Sequence, residues 1–515
     1  METMASDGTA LSDVGSSVLV RDAGVWMKMG GVVLVGLLTL AVMEQLYFLR
    51  VRKTQSGKSL PGPVIAMPFI GSILNMTADP FGFWNAQRDY APSGISWNSI
   101  VGYFSVLVTE PEAVRTILNN NGDDSFKMIL HPNGHKLLGD ANIAFINGPK
   151  HKALRKSFVS LFTRKALSVY LKIQQECIRD TLKKMIASNG AEFELRPFVR
   201  DLNLRTSQYV FVGKYIRDQE QFSKDYLELT LGFLCLPILF PGSQLYKSIQ
   251  ARKRVTVELA HCAKLSKARM EAGEEPECLM DFWAQRVLEE IDECDRSGAP
   301  YAHYASDDGM GHVMLDFLFA SQDASTASLA WVTVLMADHP EILAKVREEQ
   351  QAVRPNNEPL TFDLMEKLVY TRAVILETLR FRPPAVFVPQ IAMADYQLTP
   401  DYVVPKGSMV FPSLIEVCHQ DFPEPHTFLP ERMMPERQEH ITHRANFLPF
   451  GQGPHYCVGR EYAVNHLIAF LSMLSTECDW TRRRTDKSDM YEYLPTIYPG
   501  DSLVRLHARQ PASAA

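Results

Sequence analysis

The sequence predicts a mainly α fold with a minor β part, one large domain held behind an N-terminal transmembrane anchor. Three observations carry that expectation. Apolar and charged residues alternate at three- and four-residue steps through 163–187, 281–294 and 341–353, the period of an amphipathic helix. Short β-branched runs punctuated by Gly and Pro occur near 97–109 and 385–411, as strands require. An uncharged run from 29 to 43 continues through Glu44 to Leu49 as 21 residues with one charge, about the ~20 that a helix needs to cross hydrocarbon.

Composition sets outer limits on function. A chain of 515 residues, 46% hydrophobic and 22% charged, is neither disordered, nor a fibre, nor a small disulfide scaffold. Lys+Arg 53 against Asp+Glu 59 leaves a net charge of −6. There is no basic field for nucleic acid. A mean hydropathy of −0.10 excludes a multipass membrane protein. The eight cysteines (Cys177, Cys235, Cys262, Cys278, Cys294, Cys418, Cys457 and Cys478) contain no C-x-x-C pair. That scatter fits a reducing compartment rather than a zinc site or a disulfide framework. All but Cys457 read as inert thiols.

The anchor is 29–49. Arg50, Arg52, Lys53 and Lys58 follow it, whereas residues 1–28 carry four acids and two bases. The positive-inside rule then places 1–28 in the lumen and the bulk in the cytoplasm. No basic leader or small-x-small cleavage site is evident, so the anchor is expected to stay uncleaved. Residues 50–66 form a basic, proline-containing hinge, stiffened by Leu60-Pro61-Gly62-Pro63, where proline forbids helix. The main domain is 67–508, and 509–515 a flexible tail. A second apolar stretch, 229–240, is broken by Pro237 and Pro241. It reads either as a core helix ending in a turn or as a surface segment dipping into a bilayer.

One helix stands out. From 313 to 337 there is neither Pro nor Gly, giving a rod of about 37 Å. It is apolar almost all round and so expected to be buried. Its middle nevertheless reads Ser321-Gln322-Asp323-Ala324-Ser325-Thr326, polar groups that are costly in a core unless hydrogen-bonded or hydrated.

The loop 450–459, FGQGPHYCVG, precedes an amphipathic helix over 460–472. Gly451, Gly453 and Pro454 make a tight turn, which puts Cys457 where a loop enters a helix. Free N–H groups and the helix dipole there are expected to depress the thiol pKa. Such a cysteine is a soft ligand for iron, a redox sensor or a nucleophile.

Its neighbours narrow the choice. The loop resembles the haem-binding loop of the cytochrome P-450 superfamily, F-x-x-G-x-[RH]-x-C-x-G, at Phe450, Gly453, His455, Cys457 and Gly459. Glu377 and Arg380 match the family's E-x-x-R, a spacing whose everyday meaning is a helix-surface ion pair. With Arg432 they resemble its Glu–Arg–Arg structural triad. The resemblance runs from about 60 to 508. It implies a single catalytic domain binding a b-type haem with Cys457 as iron ligand, using O2 and electrons from NADPH through a membrane-bound reductase. His151 and Arg155 stand where the family has W-x-x-x-R at a haem propionate, His replacing Trp, and His455 stands where most members carry Arg. The long helix then crosses the distal face of the haem. Asp323 keeps the acid of [AG]-G-x-[DE]-T-[TS], but Ala324 replaces the alcohol, leaving Ser325, Thr326 or water to serve instead.

Residues 317–326, 430–439 and 453–455 are similar to the sterol 22-desaturase branch of the family. That likeness implies a sterol substrate desaturated at carbons 22 and 23, an endoplasmic-reticulum membrane protein with its catalytic domain facing the cytosol, and Phe387 and Val388 as sterol contacts. Core packing is the ordinary alternative for both residues. The rival readings are another monooxygenase acting on a sterol or other apolar substrate, an isomerase or dehydratase needing no redox partner, and a non-catalytic haem sensor.

Overall fold

The computed structural model describes residues 10–91, 93–494 and 496–509; the first nine residues of the expected lumenal segment and the last six of the expected tail lie outside them. Helix α1 (Ala10–Val51) contains a stretch, Gly31–Val51, long and apolar enough to cross a membrane and almost wholly unburied. Its end is docked on the body: Phe48 is buried against Trp97 and Phe104, with ring centroids 5.8 and 5.9 Å apart. The segment after it folds back, Lys53 bridging Ser59, and the Trp97 N–H donates to the Pro61 carbonyl at 2.9 Å. At the other end Arg509, expected to open a flexible tail, pairs with Asp479 at 2.9 Å.

The β part is small. Strands β1 (Ile95–Ile100), β2 (Tyr103–Val108), β3 (Phe126–Met128), β4 (Gln390–Ala392) and β5 (Met409–Pro412) form one sheet in the order β1-β2-β5-β4-β3. Only the β2–β5 pair is parallel. Further on, β6 (Tyr491–Leu494) and β7 (Thr496–Pro499) make an antiparallel hairpin with Tyr491 opposite Pro499.

Two further small sheets, 396–399 with 402–404 and 193–194 with 503–508 and 478–482, complete the β part. The main helices are α2 (Gly148–Ser157), α3 (Arg164–Ile186), α4 (Leu195–Ser207), α5 (Gln219–Leu231), α6 (Gln244–Glu271), α7 (Leu279–Ser297), α8 (Asp307–Asp338), α9 (Pro340–Val353), α10 (Val369–Phe381) and α11 (Arg460–Glu477). The long helix α8 starts six residues before the Pro- and Gly-free run. The Ser306 side chain caps it by accepting from the Gly309 N–H at 3.0 Å, and Asp307 and Asp308 suit the positive end of its dipole. Gly311 fits inside because α6 crosses there: a Cβ on it would meet the Ala260 nitrogen at 2.7 Å. Two apolar cores flank α8. One joins its first half to α5, α6 and α7, and the other joins its second half to α3, α9, α10 and α11.

The stretch 229–240 takes the surface course. Leu229 is buried, α5 stops at Leu231, and Leu234 and Leu236 beyond it are 62% and 68% exposed. The helix thus ends at Leu231, and the residues from Leu234 to Phe240, with Pro237 among them, lie at the surface.

Candidate functional site

Cys457 stands where the loop 450–459 enters α11. The loop closes on itself through the Cys457 N–H, which donates to the Phe450 carbonyl at 3.0 Å. Two glycines are required by the turn. Gly451 has φ +68°, and Gly453 has φ +75° and lies so close to its neighbour that a Cβ would meet the Leu118 carbonyl oxygen at 2.3 Å. Phe450 is half-buried beneath the Arg460 guanidinium, 5.7 Å from its ring centroid. At Gly459 the side-chain direction is open, with nothing within 4 Å.

The thiol does not follow expectation. Burial pushes the Cys457 thiol above its ordinary value, while the Gly459 N–H and the charges of Arg155 and Arg460 pull it down. Helix-end groups alone do not overcome the loss of water. A cation at the sulfur would invert that balance. Cys457 itself is half-buried.

The basic residues converge beside it. Arg155 Nη1 donates to the Tyr456 carbonyl at 2.7 Å, and His455 Nε2 lies 2.9 Å from Asn147 Oδ1. The rings of His151 and His455 are 4.3 Å apart, and His151 Nε2 is buried without a hydrogen-bond partner among the described residues. Burial, then its neighbours His151 and Arg155, push His455 down to about 4. Burial and Arg155 also lower His151. Among the described residues none of the three has a carboxylate partner. They form a cluster of basic groups suited to an anion.

On α8, Ala320 is exposed, and Asp323 and Ala324 are half-exposed, although Gln322 and Thr326 beside them are buried. The carboxyl of Asp323 accepts from the Tyr498 hydroxyl at 3.2 Å. Burial raises its pKa, against the opposing influence of Arg200, Tyr498 and Arg196. The hydroxyl of Thr326 is committed to its own helix, donating to the Gln322 carbonyl at 2.6 Å. Ser325 is 8% exposed and has no hydrogen-bond partner among the described residues. Tyr498, Arg200, Asn147 and Asn203 were not singled out from the sequence. Asn203 gives its amide to the carbonyls of Ser321 and Gln322 at 3.0 and 2.8 Å. No local motif marks any of them.

Glu377, Arg380 and Arg432 serve the frame. Glu377 receives two bonds from Arg380, each of 2.8 Å, and one from Arg432 at 3.1 Å, all three side chains wholly buried. Arg432 also reaches Glu439 at 2.9 Å. Phe387 packs into the sheet's core against Trp84, centroids 4.2 Å apart, and Val388 lies half-buried at the same edge.

A flat group with anionic edges, as haem is, fits this arrangement. It would find a soft sulfur, open space at Gly459, the small Ala320 and Ala324 on α8, and uncompensated basic groups for its carboxylates. Outside the loop, Arg115, Arg444, Arg460 and His440 line a surface groove of about 500 Å³.

Comparison with known proteins agrees. The family model for cytochrome P450 matches residues 60–499. The chain is 40% identical to "Cytochrome P450 710A4" of Arabidopsis thaliana over 90% of its length and 94% of that protein's. It is 35% identical to "C-22 sterol desaturase erg5" of Aspergillus fumigatus over 86% of its length and 88% of that protein's. In fold it resembles a retinoic acid-bound cyanobacterial CYP120A1 (TM-score 0.73, 24% identity, 88% of this chain and 100% of that one). The thiol loop, the buried triad and a match over most of its length place this chain in the cytochrome P450 family, oxidoreductases that use a thiolate-ligated haem iron, O2 and reductase-supplied electrons.

Proposed function

We propose that this chain is a sterol 22-desaturase, which removes two hydrogens across carbons 22 and 23 of a sterol side chain. The substrate gains a double bond, and O2, with two electrons and two protons, leaves as two waters. The similarity to a fungal C-22 sterol desaturase over 86% of the chain carries the reading, together with the distal-helix string 317–326.

Bound haem supplies the oxidising power. Cys457 would hold its iron, in the turn formed by Phe450, Gly453 and Gly459. Arg155, His151 and His455 would hold its carboxylates. Asp323 handles protons on the distal side, with Ser325 the nearest uncommitted hydroxyl in sequence and Thr326 bracing the helix. Glu377, Arg380 and Arg432 keep the frame rigid. Phe387 and Val388 close the sheet side against the sterol. Where the side chain is held decides the product, because displacements of about 1 Å alter which atom reacts.

The anchor α1 and the exposed apolar segment 234–240 seat the domain on the endoplasmic-reticulum membrane, facing the cytosol. A sterol then enters without crossing water. The basic groove of Arg115, Arg444 and Arg460 presents the cysteine side to an NADPH-dependent reductase. Membranes carrying the protein, a reductase, NADPH and a sterol saturated at carbons 22 and 23 provide the test. A product lighter by two hydrogens, with the new bond at 22,23, is expected. A product heavier by one oxygen would replace this reading with a hydroxylase.

A further inference from the structure

We propose that Tyr498 is a positioning residue for the Asp323 carboxyl, holding it from outside α8 through its phenol donor, with Arg196 on α4 steadying the ring from the surface side. The inference rests on assigning proton handling to Asp323.

Tyr498 lies on β7, 2% exposed. Its hydroxyl is 3.2 Å from Asp323 Oδ1 and 3.3 Å from the Asp323 carbonyl oxygen, which also accepts from Thr496 Oγ1 at 3.4 Å. The strand cannot drift. The Ile497 N–H donates to the Pro384 carbonyl at 3.2 Å, and the indole N–H of Trp331, on α8 itself, donates to the Ile497 carbonyl at 2.9 Å. The hairpin therefore holds the phenol against α8 at the height of Asp323.

Behind the phenol a charged pair lies toward the surface. The Arg196 guanidinium lies over the Tyr498 ring, 4.1 Å from its centroid, and pairs with Glu492 at 3.1 Å. The Arg196 and Glu492 side chains are 29% and 48% exposed. From water inward the contacts run Glu492, Arg196, Tyr498, Asp323, a packed support for the phenol. Arg200 on α4 and Tyr226 on α5, whose hydroxyl is buried without a partner among the described residues, face the same carboxyl.

The arrangement supplies what α8 lacks. Ala324 has no hydroxyl, and that of Thr326 is committed to Gln322. The phenol holds the carboxyl from outside the helix instead. A donor hydrogen bond favours the ionised carboxylate, so Tyr498 holds the half-buried Asp323 carboxyl in one orientation and nearer its ionised form.

The test uses the full-length, haem-loaded protein in detergent, first without turnover and then with a reductase, NADPH and a sterol. The infrared band of the protonated Asp323 carboxyl, identified by its loss in Asp323→Asn, is followed against pH. Tyr498→Phe is expected to raise its midpoint by about one pH unit, and to raise the NADPH used per product with the KM for sterol unchanged. Arg196→Gln, at the surface, gives a second and smaller upward shift should the phenylalanine variant fold poorly. An unmoved midpoint in the variants would overturn the proposal, as would a shift in Tyr498→Phe reproduced in full by Thr496→Val. Coupling unimpaired in Asp323→Asn would overturn the assignment of Asp323 itself, and is read separately from the midpoint.

Discussion

The Thr326 hydroxyl donates to the carbonyl oxygen of Gln322 at 2.6 Å, one turn back along the same buried helix. The neighbouring Ser325 makes no such commitment among the described residues. The same Gln322 carbonyl already accepts from Asn203 at 2.8 Å. Thr326→Val therefore removes one of two side-chain donors and is expected to cost about 1 kcal/mol, leaving the ratio of NADPH consumed to product unchanged. Ser325→Ala is expected to raise peroxide release at little cost in stability. Parallel assays of NADPH, peroxide and product check both.

Glu377 is the only acid facing two guanidiniums in the buried triad, Arg380 and Arg432, although Arg432 also has Glu439. Glu377→Gln leaves an uncompensated buried charge and is expected to destabilise by about 3–5 kcal/mol. The denaturant midpoint should fall, and haem should be lost at lower denaturant than in the wild type.

Asp316 on α8 tethers the segment before α2: it accepts from the Asn142 amide and, at 3.0 Å, from the Ile143 N–H. Both donors favour the ionised form, yet complete burial prevails and raises the carboxyl from 3.8 to about 8. A folded-state value above the unfolded one means that the stabilisation is full below 3.8 and is lost as the pH climbs to about 8. Urea midpoints are expected to decline from pH 5 to 8, and the decline should flatten in Asp316→Asn, whose side chain does not ionise.

Leu236 and Phe240 are 68% and 57% exposed, in the segment that follows α5. Deleting residues 1–49 is expected to leave part of the protein on membranes. Adding Leu236→Glu and Phe240→Glu should release it, since each apolar side chain contributes about 2 kcal/mol of burial. Sedimentation with vesicles compares the two forms.

Local signals were legible before any fold was known. A Cys flanked by turn-forming glycines specifies a loop entering a helix. Absence of Pro and Gly over 313–337 marks a rod, and Glu377 and Arg380 meet because three residues nearly complete a helical turn. The boundaries moved where packing intervened: Gly311 joined α8 because α6 crosses closely there. The burial acting on the Cys457 thiol was not legible, because dipole and N–H groups are local, whereas desolvation depends on everything packed around the sulfur.

By itself the sequence determined the class, the anchor-like helix, the thiol loop and the acid at 323, because each is written in neighbouring residues. Only the tertiary structure decided what surrounds that acid. Tyr498 lies 175 residues away from Asp323, and the charge of Arg200 acts on it from a different helix. Hydrogen bonds between distant segments follow from how helices and hairpin pack together, and no periodicity along the chain records them.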